Sequence, residues 1–260
     1  MNLTVSEFFF DLPIYTPVKF DANNLETYNK ILDRNHKEEF EGYNPWKKIE
    51  STFVVITDLL PNGGLFDGHG TIQVKCKRTD SIFRFYVLGD SKSQSLMKTG
   101  QYPSVADFHI SEIKKYNKLL PNERLKEFTR AIGLAANGVG IGSFVYLRRI
   151  FEHLISEAYT LCLREGLITE EQFNRSRMDQ KIELLSAHLP SFLVENRSIY
   201  SVLSLGIHEL DENTCLAHFE TLRVGIEIIL DEKLDELKKK EKIEEAKRKL
   251  SQLVSDTKGS

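Results

Sequence analysis

A helical pattern between residues 143 and 164 constrains the fold of this chain more than any other stretch. Apolar residues recur there at intervals of three and four, which places them on one face of a helix. They are Phe144, Leu147, Phe151, Leu154, Ile155, Ala158 and Cys162. We expect Ser143 to cap this helix and Gly166 to close it. An apolar face of this length has to be buried against other helices, so the pattern predicts a helical bundle.

Helical patterns on both sides of this segment supply the other members of the bundle. From Ser111 onward the apolar spacing stays helical, and Pro121 separates the first helix from the second. Asn137 and Gly138 predict a left-handed end for the second helix. The predicted helices cover residues 113–120, residues 125–135, the stretch from the capping box of Thr169 and Gln172 to about His188, residues 192–205, and the stretch from the Asp211 cap to about Val254.

The last predicted helix ends in a long charged extension. Residues 231–250 hold seven acidic and eight basic side chains, spaced for pairing between positions i and i+4. The heptad phase of its apolar residues changes after Leu237, and the later series is Ile243, Ala246, Leu250 and Leu253. The change of phase favours a solvated tail over a long coiled coil, and a short dimer contact is the alternative.

The N-terminal part has the patterns of a β-sheet. Residues 71–76 and 82–87 alternate between apolar and polar side chains around a short loop, which is typical of a hairpin. Residues 53–56 form the apolar run of a third strand, and the three strands predict a small antiparallel sheet. Further predictions are strands at residues 5–10 and 14–20, a short helix at residues 24–33 and a turn at residues 61–64.

These patterns predict an α+β chain with two parts. A small antiparallel β-rich module is expected at residues 1–105, and an α-helical bundle with a long charged C-terminal helix at residues 106–260. The hydrophobic fraction of 41% is typical of a soluble protein, and no run of about 18 apolar residues predicts a membrane span. The N-terminus lacks the basic and apolar regions of a secretory signal. We therefore expect a cytoplasmic protein without a membrane partner.

Charge and cysteine content argue against several functional classes. A net charge of −3 argues against broad nucleic-acid binding and leaves room for a local basic face. Cys76, Cys162 and Cys215 are odd in number and far apart, which indicates free thiols in a reducing compartment. Cys76 begins half of a zinc knuckle whose second thiol is missing. We predict no metal and no cofactor.

The glycines before the central helix have two interpretations. Gly138, Gly140 and Gly142 leave free N–H groups at a helix N-terminus, which can hold an anion. The segment lacks the lysine of a phosphate-binding loop, and it does not follow a strand as a dinucleotide site requires. The favoured interpretation is therefore a turn in which glycines let two helices pack closely.

Four side chains are candidates for a functional site. Arg148 borders the apolar face of the central helix and Arg149 points outward; each is predicted to pair with Glu152 or to bind a phosphate or partner. His208 precedes the last helix beside several carboxylates, which suggests ligand binding or acid–base chemistry, although this sequence is not a zinc motif. His153 has the weaker claim and is expected to be exposed.

Two blocks of the helical half carry a family resemblance. They are YLRRIFE at residues 146–152 and YSVLSLGIH at residues 200–208. Over residues 111–230 the chain resembles the HEPN-like domains of bacterial proteins, many of them linked to phage defence or RNA metabolism. Active ribonucleases of that group have four to six residues between an arginine and the late histidine, and no arginine has that spacing before His208. The N-terminal part is similar to a divergent zinc-ribbon module.

The resemblance leaves two functional hypotheses. The leading one is a HEPN-like module that binds a protein, RNA or nucleotide partner through Arg148, Arg149 and His208 without a complete catalytic motif. The alternative is a metal-independent ribonuclease or toxin whose site is completed at a dimer interface. There His208 or His153 would act as acid or base, and an arginine would stabilise the phosphate charge. A homodimer held by the C-terminal helix is a third expectation.

Overall fold

The computed structural model describes residues 3–21, 24–32, 37–57 and 66–258, and its fold is α+β as predicted. A curled six-stranded antiparallel sheet occupies the N-terminal part. Helices make up the rest of the described chain, and the last of them is long. The turn predicted at residues 61–64 lies outside the described residues.

Apart from a helical turn before β1 and α1 between β1 and β2, the strands precede the helices. The strands are β1 (Pro17–Lys19), β2 (Glu39–Asn44), β3 (Ile49–Thr57), β4 (Gly68–Cys76), β5 (Ile82–Asp90) and β6 (Ser95–Tyr102). The helices are α1 (Leu25–Leu32), α2 (Val105–Phe108), α3 (Ile110–Lys114), α4 (Asn122–Ala136), α5 (Gly140–Arg164), α6 (Glu170–Arg175), α7 (Met178–Leu184), α8 (Ser191–Glu195), α9 (Ser198–His208) and α10 (Glu212–Lys258).

The sheet has the strand order β1-β6-β5-β4-β3-β2, and neighbouring strands are antiparallel. The predicted hairpin is confirmed as β4 and β5, with Thr71 opposite Tyr86 and Gln73 opposite Arg84. The predicted third strand is confirmed as β3. The sequence prediction missed β2 and β6, because both are rich in polar residues and glycine and are held by pairing with their neighbours.

One face of the sheet is buried under the N-terminal segment and α1. Phe8, Phe9 and Phe10 are at most 4% exposed and pack against the inward side chains of the sheet. The strand predicted at residues 5–10 is therefore wrong, because these residues form a helical turn. A strand directs successive side chains to opposite faces and would leave one of three consecutive phenylalanines in water. Of the strand predicted at residues 14–20, only β1 forms.

A buried lysine fastens this helical turn to the sheet. Lys98 of β6 has no exposed surface, and its Nζ donates to the Phe9 carbonyl oxygen at 2.9 Å and to Gln101 Oε1 at 2.6 Å. Burial lowers the pKa of Lys98 to about 7, and Asp11 opposes this only in part. The two hydrogen bonds offset part of the cost of removing the amine from water.

Helix α5 is the central element of the bundle and packs against α4, α9 and α10. All seven residues of its predicted apolar face are buried, which confirms that face. The predicted cap is wrong, since α5 begins at Gly140 and the buried Ser143 lies in the first turn, donating its hydroxyl to the Gly140 carbonyl oxygen. The predicted chain reversals before and after α5 are confirmed, with φ of +80° at Gly138 and +72° at Gly166.

Two glycines permit the closest contacts between helices. A Cβ at Gly140 would lie 2.5 Å from the Glu212 carbonyl oxygen at the start of α10. A Cβ at Gly206 of α9 would overlap the ring of Phe144, which is fully buried in α5. Neither contact leaves room for a side chain. These contacts support the interpretation of the glycines before α5 as a packing device.

The helices after α5 are shorter than predicted. The capping box of Thr169 and Gln172 is confirmed. The helix does not continue to His188, because Ser176 is extended and its hydroxyl bonds back to the Gln172 carbonyl oxygen, which ends α6 before α7. The helix predicted at residues 192–205 is likewise divided into α8 and α9.

Helix α10 confirms the predicted cap and the predicted charged extension. Asp211 accepts the N–H of Thr214 at 3.0 Å and so caps the helix. The first half of α10 contributes Cys215, Phe219, Leu222, Ile226, Ile229 and Leu230 to the core of the bundle. The side chains at residues 238–253 are all exposed.

Helix α2 connects two hydrophobic cores. Val105 and Ala106 belong to the core of the bundle, whereas Phe108 belongs to the core under the sheet. The Phe108 ring stacks on that of Phe10 with 4.0 Å between the ring centres. The predicted boundary between residues 105 and 106 falls inside this connecting helix and stays a prediction.

We predict that Gly206→Ala lowers the free energy of unfolding by about 1–3 kcal/mol, because the new methyl group meets a ring that the core holds in place. Gly133→Ala is the matched control: a Cβ there would lie 3.6 Å from that of Ala106, an ordinary contact. Alanine inside a helix should raise stability at that site by about 0.5–1 kcal/mol. Urea denaturation measures both effects, and equal effects would contradict close packing at Gly206.

Candidate functional site

Arg148 lies at the edge of the apolar face of α5, and its guanidinium is engaged on two sides. Its Nε donates to Glu152 Oε1 at 2.8 Å, and a terminal nitrogen donates to the Tyr200 hydroxyl of α9 at 2.9 Å. The Tyr200 hydroxyl donates in turn to Glu152 at 3.2 Å. The hydrogen bond to Glu152 is the main reason that the pKa of Arg148 is raised. The predicted ion pair is therefore present, and it also joins α5 to α9.

Arg149 pairs with Glu127 of α4 instead of the predicted Glu152. One terminal nitrogen of Arg149 is 2.8 Å from Glu127 Oε1, and the other Glu127 oxygen is 2.5 Å from Arg124. Glu127 is only 6% exposed, so two arginines neutralise a nearly buried carboxylate. The Arg149 side chain itself is 51% exposed. It joins α5 to α4, on a different side from the contact of Arg148 with α9.

His153 is half-buried, and the prediction that it would be exposed is wrong. Burial lowers its pKa most, and the charges of Glu157, Arg124 and Lys233 act on it as well. The ion pair between Lys233 and Glu157 shows that α10 lies along this side of α5. Sequence spacing alone did not indicate that a distant helix covers the histidine.

His208 is exposed at the end of α9. His208 comes eight positions after Tyr200, the partner of Arg148. At the rise of an α-helix, this separates the two residues by about 12 Å along the helix axis. Arg148 faces α9, Arg149 faces α4, and His153 lies beside α10. Within one chain, Arg148 and His208 thus lie apart from the other candidates, whereas Arg149 and His153, four residues apart on α5, share the side near Arg124 and Glu127 of α4.

The N-terminus of α5 is already occupied by a carboxylate of the protein. Glu212 of α10 accepts the N–H of Ile141 at 2.9 Å, which places its negative charge on the positive end of the α5 dipole. A bound phosphate at this position would have to displace Glu212. The anion-binding interpretation of Gly138, Gly140 and Gly142 is therefore disfavoured.

The described residues include no group of three or more His, Cys, Asp or Glu side chains placed to hold a metal ion. Cys76 is buried, and its thiol donates to Ser51 Oγ at 3.3 Å. Burial alone would raise the pKa of Cys76, but hydrogen bonds with Ser51, Thr79 and Asn44 lower it to about 7. Cys76 thus has polar neighbours that stabilise its thiolate form. Among them, Thr79 stands where a zinc knuckle would have its second thiol.

Sequence reasoning missed a charged cluster around His109. Its two ring nitrogens lie 3.1 Å from Asp11 and 3.1 Å from Glu112, and Arg223 of α10 lies 3.8 Å from Glu112. Burial would lower the pKa of His109, but the two carboxylates outweigh it and raise the pKa to about 9. An imidazolium can donate to both carboxylates, so the cluster links the N-terminal segment to α3 and α10.

Sequence reasoning also missed the outward face of the sheet. The outward side chains of β4 and β5 are His69, Thr71, Gln73, Lys75, Ile82, Arg84, Tyr86, Leu88 and Asp90, and they include two cations and one carboxylate, at the end of β5. Tyr86 is 51% exposed, and Arg84 beside it is exposed as well. Lys75 is paired with Asp80 at 2.7 Å. The alternating residues of β5 already placed Arg84 and Tyr86 outward, so this signal was present in the sequence.

A shallow cavity lies where Tyr86 meets the neighbouring strands. Its volume is about 440 Å³, and it is lined by His69, Gly70, Thr71, Tyr86, Val87 and Thr99. Gly100 stands opposite Tyr86, and a Cβ there would make an ordinary contact of 3.5 Å with Tyr86 Cδ2. This region presents an exposed aromatic surface beside a histidine and an arginine.

No protein-family model, no curated protein and no solved structure matches the chain. The HEPN-like resemblance of the helical half and the zinc-ribbon similarity of the N-terminal part stay predictions. Across the described ranges, the helices lack any segment that is both long and apolar enough to cross a membrane.

We predict that His109→Asn lowers the free energy of unfolding by up to about 3 kcal/mol at pH 6, since raising a pKa from 6.5 to about 9 stabilises the protonated folded state by that order. The contribution is complete below about pH 6.5 and is lost as the pH rises through about 9. The difference in unfolding free energy between the wild-type protein and the His109→Asn variant should therefore be smaller at pH 9.5. Urea denaturation at both pH values measures it, with His208→Asn as the exposed control. A deficit that is independent of pH would contradict the assignment.

Proposed function

We propose that the protein binds single-stranded RNA through the outward face of its sheet, and that the helical bundle supports this face without cleaving the RNA. The observation that carries the proposal is the half-exposed ring of Tyr86 beside the exposed Arg84 and the cavity at His69. RNA is thus one of the partners expected from the HEPN-like resemblance, but we propose that it contacts the sheet and not the helices.

The sheet face has the two features that single-stranded nucleic acids use. Bases stack on exposed aromatic rings, and each such contact contributes about 1–3 kcal/mol. Tyr86 offers a half-exposed ring, and the cavity beside it, with a volume of about 440 Å³, is large enough to admit a base. Arg84 and His69 can approach the phosphates on either side. The carboxylates nearest to this surface are Asp90 at the end of β5 and Asp80, which is paired with Lys75, so Arg84 is the outward cation of β5 left for a phosphate.

The candidate arginines of the bundle are less suited to this role. Arg148 would have to leave Glu152 and Tyr200, and Arg149 would leave the nearly buried Glu127 without one of its two cations. Removing one partner from a buried ion pair is costly, so these side chains favour their internal contacts. A contact of His208 with RNA stays compatible with its exposure.

The ribonuclease hypothesis requires an arginine and a histidine within hydrogen-bond distance of the same phosphate. Arg148 and His153 leave α5 on different sides, and His208 lies about 12 Å along α9 from the partner of Arg148. Arg149 and His153 share one side of α5, but Arg149 is there paired with the nearly buried Glu127. The other remaining form of the hypothesis is a site that two copies of the chain complete together. The favoured function is therefore binding.

We predict that Tyr86→Ala and Arg84→Ala each weaken the binding of a fluorescently labelled oligouridine by about tenfold, because a stacking surface or a phosphate contact is lost. Anisotropy titrations in low salt measure the dissociation constants. Arg130→Ala is the matched control, since it removes the same charge from an exposed arginine of α4 and should leave binding unchanged. A single-stranded DNA of the same sequence tests whether the 2′-hydroxyl contributes.

Two results would contradict the proposal. The first is unchanged RNA binding by the Tyr86→Ala variant with its circular dichroism spectrum intact. The second is cleavage of the oligonucleotide by the pure protein that disappears in His208→Ala, which would restore the ribonuclease hypothesis. Incubating the RNA with the wild-type chain in the presence of EDTA and resolving it on a gel decides the second point.

A further inference from the structure

Helix α10 leaves the body of the protein and carries an apolar seam beyond it. Lys118 pairs with Glu241 at 3.0 Å, and the side chains at residues 242–253 are all exposed. Within this segment, Ile243 is 45% exposed, Leu250 61% and Leu253 60%. Large apolar side chains on an exposed helix are costly in water unless something covers them.

The seam has the spacing of a coiled coil. Ile243, Ala246, Leu250 and Leu253 are separated by three, four and three residues, which places them at successive a and d positions of a heptad. A helix that lies on a lipid surface has a broader apolar face than this narrow stripe. The spacing therefore favours another helix as the occupant.

The residues that flank the seam determine which charge the partner helix must carry. Lys242 and Lys249 occupy g positions and Lys247 an e position, so lysines border the seam on both sides, although Lys249 also pairs with Glu245 at 2.6 Å. Glu244 and Glu245 lie on the outer face, away from the seam. The e and g positions of a coiled coil contact the partner helix and set its charge.

Pairing with a second copy of this chain is disfavoured by the same lysines. A parallel pair would place Lys242 of each copy beside Lys247 of the other. An antiparallel pair along the seam would place Lys247 against Lys247 and Lys249 against Lys249. Like charges face each other in both arrangements, which argues against the homodimer expected from the sequence.

We infer that the C-terminal seam of α10 is a docking surface for an amphipathic helix of another protein, with apolar residues at a and d and acidic residues at e and g. The lysines at the flanks would pair with those carboxylates. The part of the seam whose side chains the structure describes, residues 242–253, is shorter than two heptads, so we expect a weak contact that adds to other contacts between the partners. The inference is independent of RNA binding by the sheet.

The test uses the full chain and a synthetic 21-residue helix with leucine at a and d and glutamate at e and g. A second peptide carries lysine at e and g. Fluorescence anisotropy should show at least tenfold tighter binding of the acidic peptide. Leu250→Ser should reduce that binding at least tenfold, whereas Ile228→Ser, a change at a 37% exposed apolar residue of α10 outside the seam, should leave it unchanged.

A charge reversal makes the test independent of folding. The double variant Lys247→Glu and Lys249→Glu should lose the acidic peptide and gain the basic one. Equal binding of both peptides by the wild-type chain would overturn the inference. Two further results would also overturn it: a mass that doubles in light scattering and reverts in Leu250→Ser, and sedimentation with phosphatidylserine vesicles that the same change abolishes.

Discussion

The bundle depends on the close approach of three helices around the start of α5. Gly140 brings α5 against the first turn of α10, and Gly206 brings α9 against Phe144. These contacts place Glu212 on the free N–H groups of α5, where a phosphate would otherwise bind. They also set α9 at the height where the Tyr200 hydroxyl reaches Arg148. Because of the position of α5, its N-terminal N–H groups bind Glu212 and its Arg148 binds Tyr200, so these groups are already occupied within the protein.

Charged side chains connect this bundle to the N-terminal segment and the sheet. His109 holds Asp11 of the N-terminal segment and Glu112 of α3, and Arg223 extends the cluster to α10. Lys98 fastens the helical turn of three phenylalanines to β6. Because the turn and α1 cover the inner face of the sheet, the side chains of the outer face remain for binding. The polar side chains that face inward maintain the fold, and those that face outward on β4 and β5 carry the proposed function.

Patterns within one element were sufficient to predict the hairpin of β4 and β5, the apolar face of α5, the capping box of Thr169 and the Asp211 cap. Contacts between distant residues were not predictable. The helical turn at residues 7–11 forms because the sheet core accepts all three phenylalanines, and β2 and β6 exist because neighbouring strands pair with them. The partners of Arg149 and His153 come from α4 and α10, so the sequence placed these side chains on α5 without showing what they face.

The central claim is that RNA contacts the outward face of the sheet, whereas Arg148 and Arg149 make contacts within the helical bundle. Photo-cross-linking of an oligouridine that contains 4-thiouridine, followed by mass spectrometry of the digested protein, tests the claim most directly. The account predicts cross-links in the peptides of β4 to β6, above all at Tyr86. Cross-links at Arg148, at His208 or along the basic end of α10, with none on the sheet, would contradict it.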